Sequence, residues 1–358
     1  MDSVVMHNLF SILKGKRVLI TGETGFKGSW LFLWLSQLGA DVAGFSQAPK
    51  QDNDHFNLLE LGKLGRHVEG DIRDLPALKR VFDEFQPEFL FHLAAQSLVR
   101  YSYDEPKLTF DTNIGGSVNV LECVRTTPSL RSVIYVTSDK CYLNKEWEWG
   151  YRENDELGGR DPYSASKAAA ELIFSSYRDS FFAQRPSLGI ASVRAGNVIG
   201  GGDWSTDRIV PDSIKALQKH QPVLLRNPKS TRPWQHVLEP LSGYLALACK
   251  LHTNPRSFSG AWNFGPRAES IRTVLDLAET IVTCWGEGKV DVVSDHALPH
   301  EAQLLQLNCD KSIRALGWTP RWDFDRTVKM TVKWYRKITD GIPARQVTNE
   351  QIQRYMET

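Results

Sequence analysis

RVLITGETGFKGSWL, residues 17–31, runs from an apolar strand pattern through three glycines into a helix pattern. Gly22, Gly25 and Gly28 follow the strand at once and open the helix. Glycine there permits the tight turn and lets the backbone and the helix N-terminus approach a pyrophosphate, whose charge the exposed N–H groups stabilise. An ordinary glycine-rich turn is the plain alternative. The strand before and the helix after favour a dinucleotide loop, to which Phe26 and Lys27 also belong.

Working outward, DVAGFS, HVEGD, FLFHLAA, SVIYVTS and GIASVRAGN repeat the short apolar run, with helix-like segments such as SWLFLWLSQLG and GSVNVLECVRTT between them. Strands alternating with helices at this spacing predict an α/β protein with a Rossmann-type, doubly wound parallel sheet. After about residue 200 the texture becomes richer in Gly, Pro and Trp and less periodic, which predicts a smaller C-terminal substrate-binding lobe. The expected organisation is a dinucleotide-binding domain over 10–200, to which segments near 235–267 such as WNFGP return, a lobe over 201–340, and a polar tail over 341–358 that is either a terminal helix or a mobile end.

Composition narrows the function. Lys plus Arg (43) and Asp plus Glu (42) nearly cancel, so no basic excess supports binding to nucleic acid. The five cysteines (Cys123, Cys141, Cys249, Cys284, Cys309) are dispersed and form no C-x-x-C pair. They read as reduced core residues of a cytoplasmic protein, and no metal site is expected. The opening MDSVVMHNLFSILKGK is acidic where an export signal is basic, and no apolar run approaches membrane-spanning length.

The second strand ends AGFSQAPK, offering Ser46 and then Lys50 in place of the acid that binds the ribose of NAD, so this position does not separate NAD from NADP. GDIRD supplies Asp71 and Ile72 at the expected adenine end, and HLAAQ supplies Leu93, Ala94 and Ala95 beside the loop. VTSDKCY, residues 136–142, sets Ser138, Asp139 and Lys140 at the end of an apolar run, as either a turn or a proton-transfer group. DPYSASK places Tyr163 and Lys167 four apart, on one helix face, where the lysine is expected to draw the phenol's pKa from about 10 toward neutrality. Ser138, Tyr163 and Lys167 suffice for oxidising an alcohol with hydride transfer to a nicotinamide. Asp139 and Lys140 are one acid and one base more than that, unless Asp139 caps the turn and Lys140 is a surface residue.

TGETGFKGSWL, HLAAQSLVRYSYDEP, TNIGGSVNVLE, VTSDKCY, DPYSASKAAAEL, RAGNVIGGGDW, DRIVPD and RPWQHVLEPLSGYLALA together resemble the CDP-glucose 4,6-dehydratases, nucleotide-sugar enzymes of the extended short-chain dehydrogenase/reductase family. The resemblance runs from about residue 10 to about residue 335. It implies bound NAD that is reduced and reoxidised in each turnover. Tyr163, with Lys167 and Ser138, takes the proton of the C4 hydroxyl, Asp139 protonates the departing C6 hydroxyl, and CDP-glucose becomes CDP-4-keto-6-deoxyglucose. The dTDP-glucose dehydratases place a glutamate as C5 base where this chain has Lys140, so Lys140 is expected in that role, for which a lysine must be neutral. Asn113 matches an asparagine placed near the active-site lysine, with packing inside a helix as a comparable reading. Gln96, Asn197, Arg208, Arg232 and His300, with Glu301, are the implied substrate contacts; the two arginines read equally well as surface charges, and His300 and Glu301 as a turn. A nucleotide-sugar 4-epimerase, or a 4,6-dehydratase for another nucleotide sugar, is the alternative. The resemblance further implies a homodimer or homotetramer built on the helices VNVLECVRTT and SKAAAELIFSSYRDSFF, and a place in deoxysugar biosynthesis of the lipopolysaccharide O-antigen kind.

Overall fold

The computed structural model describes residues 3–293 and 304–358. His300 and Glu301 lie outside the described residues. The chain opens with helix α1 (Ser3–Phe10), then strand β1 (Arg17–Thr21), helix α2 (Phe26–Gln37), β2 (Asp41–Ser46) and β3 (Arg66–Glu69). Helix α3 (Leu75–Phe85), β4 (Phe89–His92), α4 (Ser117–Thr126), β5 (Ser132–Val136), α5 (Pro162–Tyr177) and β6 (Gly189–Ala195) continue the alternation. Then come α6 (Ile209–Gln218), α7 (Leu238–Thr253), β7 (Gly260–Phe264), α8 (Val274–Trp285), α9 (Phe324–Thr339) and α10 (Ala344–Met356).

β1 to β7 form one seven-stranded sheet in the order β7-β6-β5-β4-β1-β2-β3. Every pairing in it is parallel, the doubly wound Rossmann arrangement that the alternation predicts. The order reverses between β1 and β4, so the loops after these two strands diverge and open a crevice at their C-terminal ends. Alternation along β1 sends Val18 and Ile20 to one face and Leu19 to the other, and each face belongs to its own buried apolar cluster. α2 is apolar all round, with Gly28 through Leu35 buried, because it lies between the sheet and the C-terminal helices.

Beyond the C-terminal edge of the sheet, short ribbons pair residues distant in sequence. Val223–Leu225 runs parallel to Val290–Val292, and Thr231–Pro233 antiparallel to Ile271–Thr273. α7 and β7 rejoin the sheet layer, β7 beside β6 and α7 under β5, where Ser132 Oγ donates to the carbonyl of Ala248 at 2.9 Å. Of the two readings of the polar tail over 341–358, the structure has the terminal helix, α10, with Val347, Ile352, Tyr355 and Met356 buried. Its buried polar groups find partners, Thr348 Oγ1 accepting from Trp334 Nε1 at 2.9 Å and Gln351 Nε2 donating to the Met330 carbonyl at 2.8 Å. A segment of low mean hydropathy can therefore close a core through one face.

The stretch RPWQHVLEPL anchors this closure. The fully buried Glu239 carboxylate accepts from the backbone N–H groups of Arg321 and Trp322 and from Tyr355 Oη, at 2.7–3.1 Å. His236 packs between the rings of Trp30 and Trp322, 5.7 and 4.8 Å away, and its Nδ1 accepts from the Leu238 N–H. Burial pushes the pKa of His236 down to about 3. Because this folded value lies below the unfolded value of about 6.5, the group favours the folded state above pH 6.5 and that contribution is lost as the pH falls. Between about pH 7.5 and about pH 5 the loss is about 2 kcal/mol. The His236→Asn variant should therefore lose stability less steeply over this interval than the parent chain, as read from urea unfolding midpoints; equal slopes would show that His236 is not held neutral.

Candidate active site

The crevice between the ends of β1 and β4 widens into a cleft of about 1790 Å³, larger than the roughly 300–1,000 Å³ of a drug-sized pocket and suited to two nucleotide-sized ligands. Its floor is the glycine loop. Gly22 has φ +82°, and a Cβ there would lie 2.6 Å from the backbone nitrogen of Ala94. A Cβ on Gly28 would stand 2.2 Å from the Gly22 carbonyl oxygen. The chain's own packing thus demands both glycines. Gly25 differs: its φ is −75°, and a Cβ would meet only the Gly22 carbonyl oxygen at 3.4 Å and otherwise fill the cleft. The bare backbone at Gly25 leaves a cradle in front of the first turn of α2, whose N–H groups favour an anion. This donor set fits the pyrophosphate of a dinucleotide.

Phe26 and Lys27 line the same floor. Burial pushes the Lys27 ammonium down to about 8; Arg208 and Lys167 lower it further, and Asp139 opposes them. Ser46, Asp71 and Ile72 line the cleft as well, and Leu93, Ala94 and Ala95 line it beside the glycine loop, where Ala94 lies against Gly22. Ser46 Oγ is 2.9 Å from Thr24 Oγ1. Hydrogen bonds from Arg73 hold the Asp71 carboxyl down to about 2, and Gln47 Nε2 donates to it at 2.8 Å. That carboxylate is therefore already engaged by its own neighbours.

Opposite the floor stand the residues of VTSDKCY and YSASK. Ser138 follows β5 and precedes a tight helical turn, Asp139–Cys141. Its Oγ donates to Asp139 Oδ1 at 2.9 Å and accepts from the Lys140 N–H at 3.2 Å. Asp161 caps the helix that presents Tyr163 and Lys167, its carboxylate accepting from Ser164 N and Ser164 Oγ at 2.9 and 2.6 Å. Ser138, Asp139, Lys140, Tyr163 and Lys167 all line the cleft.

Burial dominates the titration of this group. Asp139 is raised above the usual carboxylate range by burial, against the pull of Lys140, the hydrogen bond from Ser138, Lys27 and Arg232. A carboxyl so raised holds its proton to a higher pH than a solvated one does. The expectation that Lys167 draws the phenol toward neutrality is corrected: burial pushes Tyr163 up to about 12, with a Ser138 hydrogen bond opposing. Lys167 itself is pushed down to about 8 by burial, with Glu171 opposing.

Asn197, Arg208 and Arg232 also face the cleft. Arg208 Nη1 donates to Asp203 Oδ2 at 3.1 Å, and Arg232 is buried, so neither is a loose surface charge. Two other expectations change. Gln96 borders the cleft, but its Nε2 donates to Leu98 O and Thr109 Oγ1 and its Oε1 accepts from Leu98 N, so the amide braces its own turn. Asn113 is fully buried behind it and does not line the cleft. Its Oδ1 accepts from Gln96 N at 2.8 Å, and its Nδ2 donates to Gln96 O and Ser166 Oγ, both at 2.9 Å. Sequence reasoning passed over Thr24, Gln47 and Asp203, which hold Ser46, Asp71 and Arg208 in place; each is a short polar residue beside a recognised motif and carries no pattern of its own.

Comparison with known proteins agrees with this geometry. Residues 19–331 match the family model described as GDP-mannose 4,6 dehydratase. The CDP-glucose 4,6-dehydratase of Salmonella typhimurium is 47% identical over 347 residues, covering 96% of this chain and 97% of that protein. The UDP-glucose 4-epimerase of Thermus thermophilus, solved in complex with NAD, is 26% identical with a TM-score of 0.76 over 89% of this chain and 99% of that one. The dTDP-glucose 4,6-dehydratase of Bacillus anthracis, also in complex with NAD, shares the fold at a TM-score of 0.75 and 23% identity, over 91% and 98% of the two chains.

A test of the cradle follows from Lys27, which is cationic below about pH 8 and neutral above it. Its attraction for a pyrophosphate is present at neutral pH and fades as the pH rises through 8. Calorimetric titration with NAD as the probe should show affinity falling above about pH 8. Lys27→Met should weaken binding about tenfold at neutral pH and make the fall shallower, Lys167 accounting for the remainder; an unchanged profile would remove Lys27 from the anion site.

Proposed function

The chain belongs to the GDP-mannose 4,6 dehydratase family, and from that membership we propose that it converts CDP-glucose to CDP-4-keto-6-deoxyglucose and water. The observation that carries this reading is the buried Asp139 carboxyl, raised by its burial and set beside Ser138, Tyr163 and Lys167 in one cleft. A 4-epimerase needs the last three residues and has no use for a further acid. The choice of cytidine rests on the identity with the Salmonella protein.

The glycine cradle would hold NAD, with Ser46, Asp71 and Ile72 toward its adenosine, and the bound cofactor would supply the hydride acceptor and donor for C4 and C6. Tyr163 Oη receives the proton of the C4 hydroxyl. Lys167, cationic below about pH 8, stabilises the phenolate form of Tyr163 that accepts this proton. Ser138 Oγ hydrogen-bonds the same sugar oxygen and orients it. Once C4 is a ketone the C5 proton is acidic; Lys140 Nζ takes it, and Asp139 delivers its proton to the C6 hydroxyl, which leaves as water. Asn197, Arg208 and Arg232 hold the substrate's pyrophosphate, the arginine forks pairing with its oxygens.

We also read the protein as a cytoplasmic homo-oligomer that produces a deoxysugar precursor of the O-antigen type. α4 and α5 are the contact helices in this reading; Leu172 on α5 is 61% exposed, an apolar side chain that a partner helix would cover.

Incubating the protein separately with CDP-, dTDP- and UDP-glucose, with and without NAD, and following each sugar by mass spectrometry tests the reaction. Loss of one water from CDP-glucose without net reduction of NAD is the expected result; an isomer of equal mass, or no change with any sugar, would overturn the dehydratase reading. Asp139→Asn should lower turnover about a hundredfold while leaving C4 oxidation detectable. Lys140→Ala should abolish solvent deuterium exchange at C5, and full exchange in the folded, NAD-loaded variant would exclude Lys140 as the base.

A further inference from the structure

The residues that face the sugar come from two separate elements. Tyr163 and Lys167 ride on α5, while Ser138, Asp139 and Lys140 sit on the turn that follows β5. Nothing in the backbone pairing of the sheet joins this turn to the helix. Beside direct packing of the turn on the helix, a polar join is made by a buried ion pair behind the cleft, between Glu171 on α5 and Arg194 on β6, 2.7 Å apart with side chains 1% and 3% exposed.

Glu171 stands four residues after Lys167, on the same helix face. Its carboxylate accepts from Arg194 Nε and Nη2 at 2.9 and 2.7 Å, from Ser192 Oγ at 2.9 Å, and from Thr137 Oγ1. Thr137 is the residue immediately before Ser138. On the other side, Arg194 Nη1 donates at 2.6 Å to Tyr142 Oη, which itself donates to Asn263 Oδ1 at 2.8 Å. Tyr142 is the residue immediately after Cys141, where the turn ends. The two members of the pair thus grip the turn at its two ends. Glu171 and Arg194 do not line the cleft, so neither touches substrate, although Arg194 Nη1 also donates to the Glu153 carbonyl at 3.0 Å and the Glu171 charge acts on Lys167.

We propose that the Glu171–Arg194 pair positions the Ser138–Lys140 turn against the helix bearing Tyr163 and Lys167, and that the elimination step depends on this grip more than C4 oxidation does. The asymmetry comes from position along the turn. The backbone is held at both ends, the Thr137 N–H donating to the Val193 carbonyl and the Gly158 N–H to the Cys141 carbonyl, each at 2.9 Å. Ser138 adjoins the first of these bonds, and Asp139 and Lys140 lie further along, toward the end that the Tyr142 hydroxyl ties to Arg194. A loosened Tyr142 therefore displaces the acid and base of the elimination first. Glu171, Arg194, Thr137 and Tyr142 are positioning residues in this scheme, which rests on the dehydratase reading for its chemistry.

Breaking a buried ion pair strands a charge and can unfold a protein, so the test uses Tyr142→Phe, which removes one hydroxyl and keeps the ring. In the folded, NAD-loaded variant, turnover of CDP-glucose should fall about tenfold with KM within twofold of the parent, and reduced cofactor should accumulate during turnover as elimination lags behind oxidation. Hydrogen–deuterium exchange should show residues 138–142 losing protection while α5 keeps it, a readout that needs no substrate. Unchanged turnover, a fall without accumulation of reduced cofactor, or unchanged protection of the turn would overturn the proposal. Failure of the dehydratase reading is seen separately, as absence of water loss by the parent chain.

Discussion

The close passage of the β1–α2 loop under the end of β4 constrains much of the site. A left-handed residue whose Cβ would fall 2.6 Å from the Ala94 nitrogen can only be glycine, and this contact brings the N-terminus of α2 to the point where the sheet order reverses. Once the loop is seated, Lys27 in the first turn of α2 lies within electrostatic reach of Asp139, Lys167 and Arg208. Anion cradle and proton-transfer group therefore share one cleft because of a steric fact about one turn. Gly25 adds the complementary observation, since its lack of a side chain matters only to what occupies the cleft.

Burial then decides the chemistry of the charges gathered there. It pushes the two lysines down to about 8, the tyrosine up to about 12, and the aspartate above its ordinary range. Each shift favours the neutral form, as removal from water must. Under the dehydratase reading proposed above, the neutral form of Asp139 is the one that would protonate the leaving hydroxyl, and Tyr163 must first give up its proton, so the charge of Lys167 matters in the reacting complex.

Local pattern revealed the parts of this protein that local pattern builds. The strand runs, the glycine loop and the Tyr-x-x-x-Lys face are written in consecutive residues, and the seven parallel strands and the shared cleft follow from them. What stayed hidden depends on partners far along the chain. The ribbon of Thr231–Pro233 with Ile271–Thr273 joins segments with no common periodicity. α10 was legible as a polar stretch, either a terminal helix or a mobile end, and its packing stayed hidden because Thr348 and Gln351, which lower its hydropathy, are buried against Trp334 and Met330. Asn113 could be read either as a neighbour of the active-site lysine or as packing inside a helix, because resemblance carries a residue type and not the direction of its side chain, which here braces Gln96 and Ser166.

Glu171 shows the same limit from the other side. Its spacing from Lys167 is visible in SKAAAE, but a glutamate on a helix reads by default as solvated, and only the structure shows it under the sheet edge with Arg194. A buried ion pair is a poor source of stability, because two desolvated charges gain little over well-packed apolar residues of the same volume. What it supplies is direction: Arg194 reaches Glu171 with one edge of its planar fork and Tyr142 with another, and apolar side chains could not fix both ends of a turn at such defined points. Elimination requires an acid and a base held at set distances from two adjacent carbons, and oriented hydrogen bonds behind the cleft meet that demand where packing alone would leave the turn free to shift.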